Sequence, residues 1–126
     1  MPRSPSRTKA DPRRRAERAG RSAETLAGWL LRLKLYRIIA TRYKTPVGEI
    51  DIVARKGRAI VFVEVKHRSG NSLARDQALA SVNTARIVRC AQWFQSAHPA
   101  YQTYDFRFDV ITLAPGRWPH HLVNAF

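Results

Sequence analysis

The chain has 126 residues, with 23 lysines and arginines against nine acidic side chains, a formal net charge of +14 and an isoelectric point near 11.4. That length fits one domain with a single core, and that charge points to polyanionic partners, either nucleic acid or an acidic surface. The lone cysteine, Cys90, excludes an intramolecular disulfide and zinc-finger spacing. It fits a cytoplasmic setting, as does the absence of an apolar segment after the basic start, where a secretory signal would have one. No apolar run approaches the ~20 residues of a membrane span.

Residues 1–14 are rich in Arg, Pro and Ser and read as a disordered basic tail, with the domain over 15–126. Residues 1–21 carry eight basic and two acidic side chains, so about +8 of the +14 remains without them. Removing the tail should therefore not abolish affinity for polyanions. The spacing predicts a helix from Arg13 to Leu33, with Ala23, Ala27, Leu30 and Lys34 on one stripe and Leu26, Leu30 and Leu33 on another. Glu24 lines up with Ala27, Leu31 and Leu35, which puts its carboxylate at or near the buried face. The bland alternative is a half-exposed acid paired with an arginine such as Arg21. Gly28 inside the helix is expected to serve close packing. Tyr36–Tyr43 is a β-branched and aromatic first strand whose arginines, Arg42 among them, face solvent or phosphate. Lys44–Val47 is a connector.

The stretch Gly48–Lys66 reads as two strands around a turn at Arg55–Gly57. On the first, Glu49, Asp51 and Val53 are expected on one face and Ile50 and Ile52 on the other. On the second, Val61, Val63 and Val65 share one face, and Ile60, Phe62, Glu64 and Lys66 the other. A run such as AIVFV is apolar on both faces and belongs in the middle of a sheet. Charges at its end are costly unless paired or bound to a metal. One reading is a salt bridge among Asp51, Glu64 and Lys66 at a solvated strand end. The other is a site for Mg²⁺ (or Mn²⁺), which takes hard oxygen ligands and keeps part of its water shell, with the Lys66 ammonium orienting or helping to deprotonate a water.

Residues 67–72 form a loop at the mouth of that site, where Arg68 is placed to grip a phosphate. His67 reads as an ordinary loop residue. A long helix is predicted from Leu73 to Ser96 on the stripe Leu79, Val82, Ile87, Cys90, Ala91 and Phe94. Its polar face carries Arg75, Arg86 and Arg89, either solvated or lining a DNA path, and Gln77 and Asn83 are uncharged polar residues that could face the site. Tyr104–Leu113 alternates as a strand, with Phe106, Phe108 and Val110 on one face. Arg107 and Asp109 are expected to pair on the other. Trp118–Val123 adds a short edge strand, on which His120 and His121 point to opposite faces and so cannot form a two-histidine metal site. The order αβββαβ predicts an α/β fold, a mixed sheet flanked by helices with a right-handed crossover from the third strand to the fourth.

The triplet Asp51…Glu64-Val65-Lys66 resembles the PD-(D/E)xK nuclease motif. Four blocks in order, GEID at 48–51, VFVEVK at 61–66, RFDV at 107–110 and NAF at 124–126, together with Gly20, Glu24 and Ala27, resemble the small bacterial YraN-like family. That family's fold is similar to Holliday junction resolvases and restriction endonucleases. The resemblance implies catalytic roles for Asp51, Glu64 and Lys66, with Glu24 as an added ligand or water-positioning group. It further implies Mg²⁺ or Mn²⁺ on Asp51, Glu64 and the Val65 carbonyl, DNA held by Arg42, Arg68, Arg75 and Arg86, and a two-fold homodimer to which the aromatic Trp118 could belong. Where relatives commonly carry a lysine, Asn83 stands. Three functions remain open: a metal-dependent nuclease acting on DNA, branched DNA included; a nucleic-acid-binding protein without catalysis; and a scaffold on a polyanionic surface such as the ribosome or the inner membrane.

Overall fold

The computed structural model describes residues 12–67 and 83–126, with side chains from residue 22 onward in the first helix. Helix α1 spans Pro12–Leu33, and three strands follow: β1 (Arg37–Thr45), β2 (Gly48–Lys56) and β3 (Ala59–His67). Helix α2 covers Thr84–Ala97, a 3₁₀ turn Pro99–Tyr101, then β4 (Asp105–Leu113) and β5 (His120–Leu122). The sheet order is β1-β2-β3-β4-β5. All neighbours are antiparallel except β3 and β4, which run parallel from Ala59↔Asp105 to His67↔Leu113. This is the expected mixed α/β sheet in the αβββαβ order, with restriction-endonuclease-like topology.

The apolar pattern explains the layers. Val61 and Val63 of β3 pack with Ala23, Ala27 and Leu31 of α1, while Ile60 and Phe62 pack with Cys90, Ala91 and Phe94 of α2. A strand covered on both faces needs apolar residues at every position, hence AIVFV. The residues of α1 against the sheet are the small Ala23 and Ala27 with Leu31, whereas Leu26 and Leu33 stay exposed. The second leucine stripe read from the sequence is therefore not core, except for the partly buried Leu30. Gly28 does not serve close packing either: a Cβ there would meet only the Arg32 guanidinium, at 3.4 Å.

α1 ends in a Schellman turn. Leu35 takes φ 70°, its N–H donates to the Arg32 carbonyl, and the Tyr36 N–H donates to the Leu31 carbonyl at 2.9 Å. The buried pair Leu31 and Tyr36 supplies the apolar contact that accompanies this turn and launches β1 against the core. The tight turn after β2 uses Gly57 at φ 60°, as read from the sequence. The long helix predicted from Leu73 does not run unbroken through Asn83. Asn83 is the non-helical cap of α2, its Oδ1 accepting the Arg86 N–H at 3.1 Å. An asparagine side chain offers the backbone this alternative to helix, which a stripe of apolar residues does not reveal. Residues 73–82 of that prediction lie outside the described residues.

Candidate functional site

Strand β2 pairs with β3 from Lys56 to Ile52, where the register Ile52↔Val63 is the last, and continues alongside β1 as far as Gly48. Asp51 stands at this fork. Its Oδ2 accepts the Val65 N–H at 2.8 Å, so a side chain takes the place of a main-chain acceptor. The faces also change here. Ile52 and Ala54 pack on the α1 side, but Ile50 packs with Val53 and Phe62 on the α2 side. Strict alternation had placed Ile50 with Ile52. It fails because β2, released from β3, is free to turn its pleat at Asp51.

Glu64, on the α2 side of β3, is 6% exposed, and its Oε1 is buried without a hydrogen-bond partner. Burial, reinforced by the charge of Asp51, pushes the Glu64 carboxyl up to about 7, against the pull of Lys66 and Arg86. Burial likewise pushes Asp51 up to about 6: the Val65 N–H draws it down, while Glu24 and Glu49 add to the rise. Asp51 and Glu64 thus both feel the charge of Lys66, and Glu64 that of Asp51. The three form no ion pair within 4 Å among the described residues, so the solvated salt-bridge reading does not describe them.

Glu24, on α1, acts on Asp51 through its charge. It is held by Arg42, whose Nε donates to its Oε1 at 2.8 Å; the Arg21 side chain, the other partner the sequence offered, lies outside the described residues. Arg42 adopts φ 51°, a left-handed conformation rare for a residue with a side chain. The two line a cavity of about 320 Å³ between α1 and β1, with Thr25, Gly28, Arg32 and Thr41. Arg42, read as a phosphate contact, therefore has Glu24 as its partner in this structure.

Asn83 is exposed and spends its carboxamide on capping α2 rather than facing the site. Arg86 is half-buried rather than on a solvated face, and its charge acts on Glu64. Arg68, Arg75 and Gln77 lie outside the described residues. Among the described residues, no group of three or more His, Cys, Asp or Glu side chains is arranged to hold a metal ion. Metal coordination here would rest on two carboxylates, with the remaining ligands from backbone or water.

Sequence reasoning foresaw the Arg107–Asp109 pair but missed what surrounds it. Asp109 is fully buried and accepts from Arg107 at 2.9 and 2.7 Å, from His121 Nε2 at 2.7 Å and from the Asn124 N–H at 2.9 Å. Burial works against the charge, but these donors prevail and hold the carboxyl down at about 2. Beside it, the Ala125 N–H donates to the Phe108 carbonyl at 2.7 Å and Phe126 stacks on Phe108. The RFDV and NAF blocks are therefore two halves of one clasp that pins the last strand. The signal available in the sequence was Asn124, a residue suited to the left-handed φ of 55° it takes.

The profile of the uncharacterised protein family UPF0102 matches residues 23–113. A UPF0102 protein of Parvibaculum lavamentivorans is 49% identical over 111 residues, covering 88% of this chain and 83% of the relative. Similar proteins occur in Nitrobacter winogradskyi, 47% identical over 86% of this chain and 91% of the relative. One in Rhodopseudomonas palustris is 47% identical over 98% of this chain and 94% of the relative. No helix among the described residues is long and apolar enough to cross a membrane. With blocks, sheet topology and profile in agreement, the chain belongs to the UPF0102 family, related to proteins of the PD-(D/E)xK, Holliday-junction-resolvase-like fold.

Proposed function

We propose that this protein is a divalent-metal-dependent nuclease that hydrolyses phosphodiester bonds in DNA, branched or junction DNA included. The observation that carries the reading is the fork at Asp51, which sets that carboxylate beside the buried Glu64 with Lys66 adjacent. Two carboxylates whose proton affinity is raised by burial, one of them with an orphaned buried oxygen, are a donor set suited to a hard cation. Asp51 and Glu64 would hold Mg²⁺ or Mn²⁺, with the Val65 carbonyl as a further oxygen. When bound, the metal supplies charge to the phosphoryl oxygen and a lowered pKa to its water. Lys66 then orients the attacking water and stabilises negative charge on the phosphate at attack. Glu24, held by Arg42, positions water from the α1 side. Arg86, with Arg68 and Arg75, binds the backbone, and a two-fold pairing of copies suits a junction substrate.

The test is cleavage of labelled linear, flapped and four-way DNA, with Mg²⁺ or Mn²⁺, by wild type beside Asp51→Ala. Metal-dependent cuts that vanish in the variant support the reading. Cuts that persist in Asp51→Ala under limiting metal would sink it. A second reading, DNA binding without cleavage, draws on Asn83, which offers no cation to the site and is committed to a helix cap. It expects salt-steep binding by both proteins and cuts by neither.

A further inference from the structure

Arg86 is fixed at both ends of its aliphatic stem. At the backbone, the Asn83 cap accepts the Arg86 N–H and sets where α2 begins. Along the stem, Gly48 opens a notch. A Cβ at Gly48 would stand 2.9 Å from Arg86 Cδ, 3.2 Å from Cγ and 3.3 Å from the Sγ of the buried Cys90. The stem therefore lies across bare backbone, with Cys90 as the other wall. Gly48 is itself held, its carbonyl accepting the Thr45 hydroxyl at 2.8 Å, and its φ of 150° is one that a residue with a side chain adopts only under strain.

What this notch positions is a half-buried cation whose charge acts on Glu64. Arg86 Nε is buried and has no acceptor, and Glu64 Oε1 is buried and has no donor. The two groups sense each other's charge, yet they are not among the ion pairs within 4 Å. The buried Nε is out of reach of an outside acceptor, so what this half-buried side chain can offer one is its terminal Nη groups. We propose that Arg86, aimed by Gly48, is the phosphate-gripping residue of this site, presenting its terminal Nη groups to the non-bridging oxygens of the DNA phosphate that lies against Asp51 and Glu64. The planar fork of arginine matches two oxygens of one phosphate, and the +14 chain draws a polyanion to it. The assignment rests on the nucleic-acid reading above, but not on cleavage.

The experiment is equilibrium binding of a fluorescein-labelled four-way DNA in Ca²⁺, across a salt series. It compares wild type, Arg86→Ala, Arg86→Lys, Gly48→Ala, the double variant of Gly48→Ala with Arg86→Ala, and Arg37→Ala. Arg37 is exposed at the opposite end of the β1–β2 pair and controls for the loss of one charge. Arg86→Ala should weaken binding roughly tenfold, the scale of one charge-assisted contact, and flatten the log–log salt slope by about 0.9. Arg86→Lys should keep the slope but not the full affinity. Gly48→Ala should reproduce the Arg86→Ala loss, and the double variant should add little to either. If Gly48→Ala does not fold, as judged by circular dichroism, Arg86→Ala against Arg37→Ala decides alone. Equal binding and slope in those two variants would overturn the proposal. If cleavage is lost in Asp51→Ala while Arg86→Ala binds and cuts like wild type, the phosphate role fails and the nuclease reading stands. If wild type never cuts yet Arg86→Ala binds weakly, the nuclease reading fails and the phosphate role stands.

Discussion

Glu64→Gln should make the protein more stable, and increasingly so as pH rises. The Glu64 carboxyl is 6% exposed and is pushed from an ordinary 4.5 to about 7 by burial and by Asp51. A carboxyl whose pKa is higher folded than unfolded adds stability that is complete below the unfolded value and is lost as pH climbs through the folded one. At 1.36 kcal/mol per unit, ionising it in the fold costs about 3 kcal/mol by pH 8, part of which belongs to the Asp51–Glu64 pair jointly. The glutamine amide removes the charge but leaves a buried N–H to satisfy, at about 1–2 kcal/mol. The net gain is about 1–2 kcal/mol at pH 8, or roughly 5 °C in melting temperature, falling to nothing by pH 5. The assay is thermal unfolding followed by circular dichroism at pH 5, 6.5 and 8. The difference between wild type and variant is what counts, because the pH response of the remaining charge is common to both. Adding MgCl₂ at pH 8 should raise wild type, by about 1.4 kcal/mol at tenfold excess over Kd, and should do little for the variant. A difference that is zero, or that does not grow with pH, would refute the argument that Glu64 is a strained acid held for a ligand.

Asp109→Asn should cost about 3 kcal/mol at neutral pH, because it leaves Arg107 and His121 against a neutral group in the interior, and calorimetry will read this. The Asp109 carboxyl is held down at about 2, so its contribution to wild-type stability is present above 3.8 and disappears as acid takes the pH through about 2. An acid titration should show that loss in wild type and not in the variant. Asn83→Ala should cost about 1 kcal/mol through loss of the α2 cap while Asn83→Asp should not, and urea midpoints separate the two. Leu35→Gly should stabilise by about 1 kcal/mol, since the exposed Leu35 occupies the left-handed position where α1 ends. A lower melting temperature for that variant would mean that Leu35 makes contacts offsetting its strain.

The sequence by itself determined the elements and which strand is central. Period-two and helical spacing depend only on neighbours along the chain, and AIVFV can be stable only between two layers. The same local logic found Gly57 as a turn, Arg107–Asp109 as a pair and Asp51, Glu64 and Lys66 as charges that packing alone does not explain. It failed where a residue answers to something distant. Ile50 and Ile52 part company because β2 leaves β3 at Asp51, which no alternation encodes. Glu24 pairs with Arg42 across the gap between α1 and β1, a partner 18 residues away that helical spacing does not reveal. Gly48 read as a strand start, and only the packing of α2 on β2 makes it the notch for Arg86. His121 and Asn124 became partners of Asp109 once β5 paired with β4, a contact whose energy comes from burial and is invisible along the chain. The chain carries the chemistry of the candidate site in its own order; the fork at Asp51 and the two helix faces decide which of those groups meet.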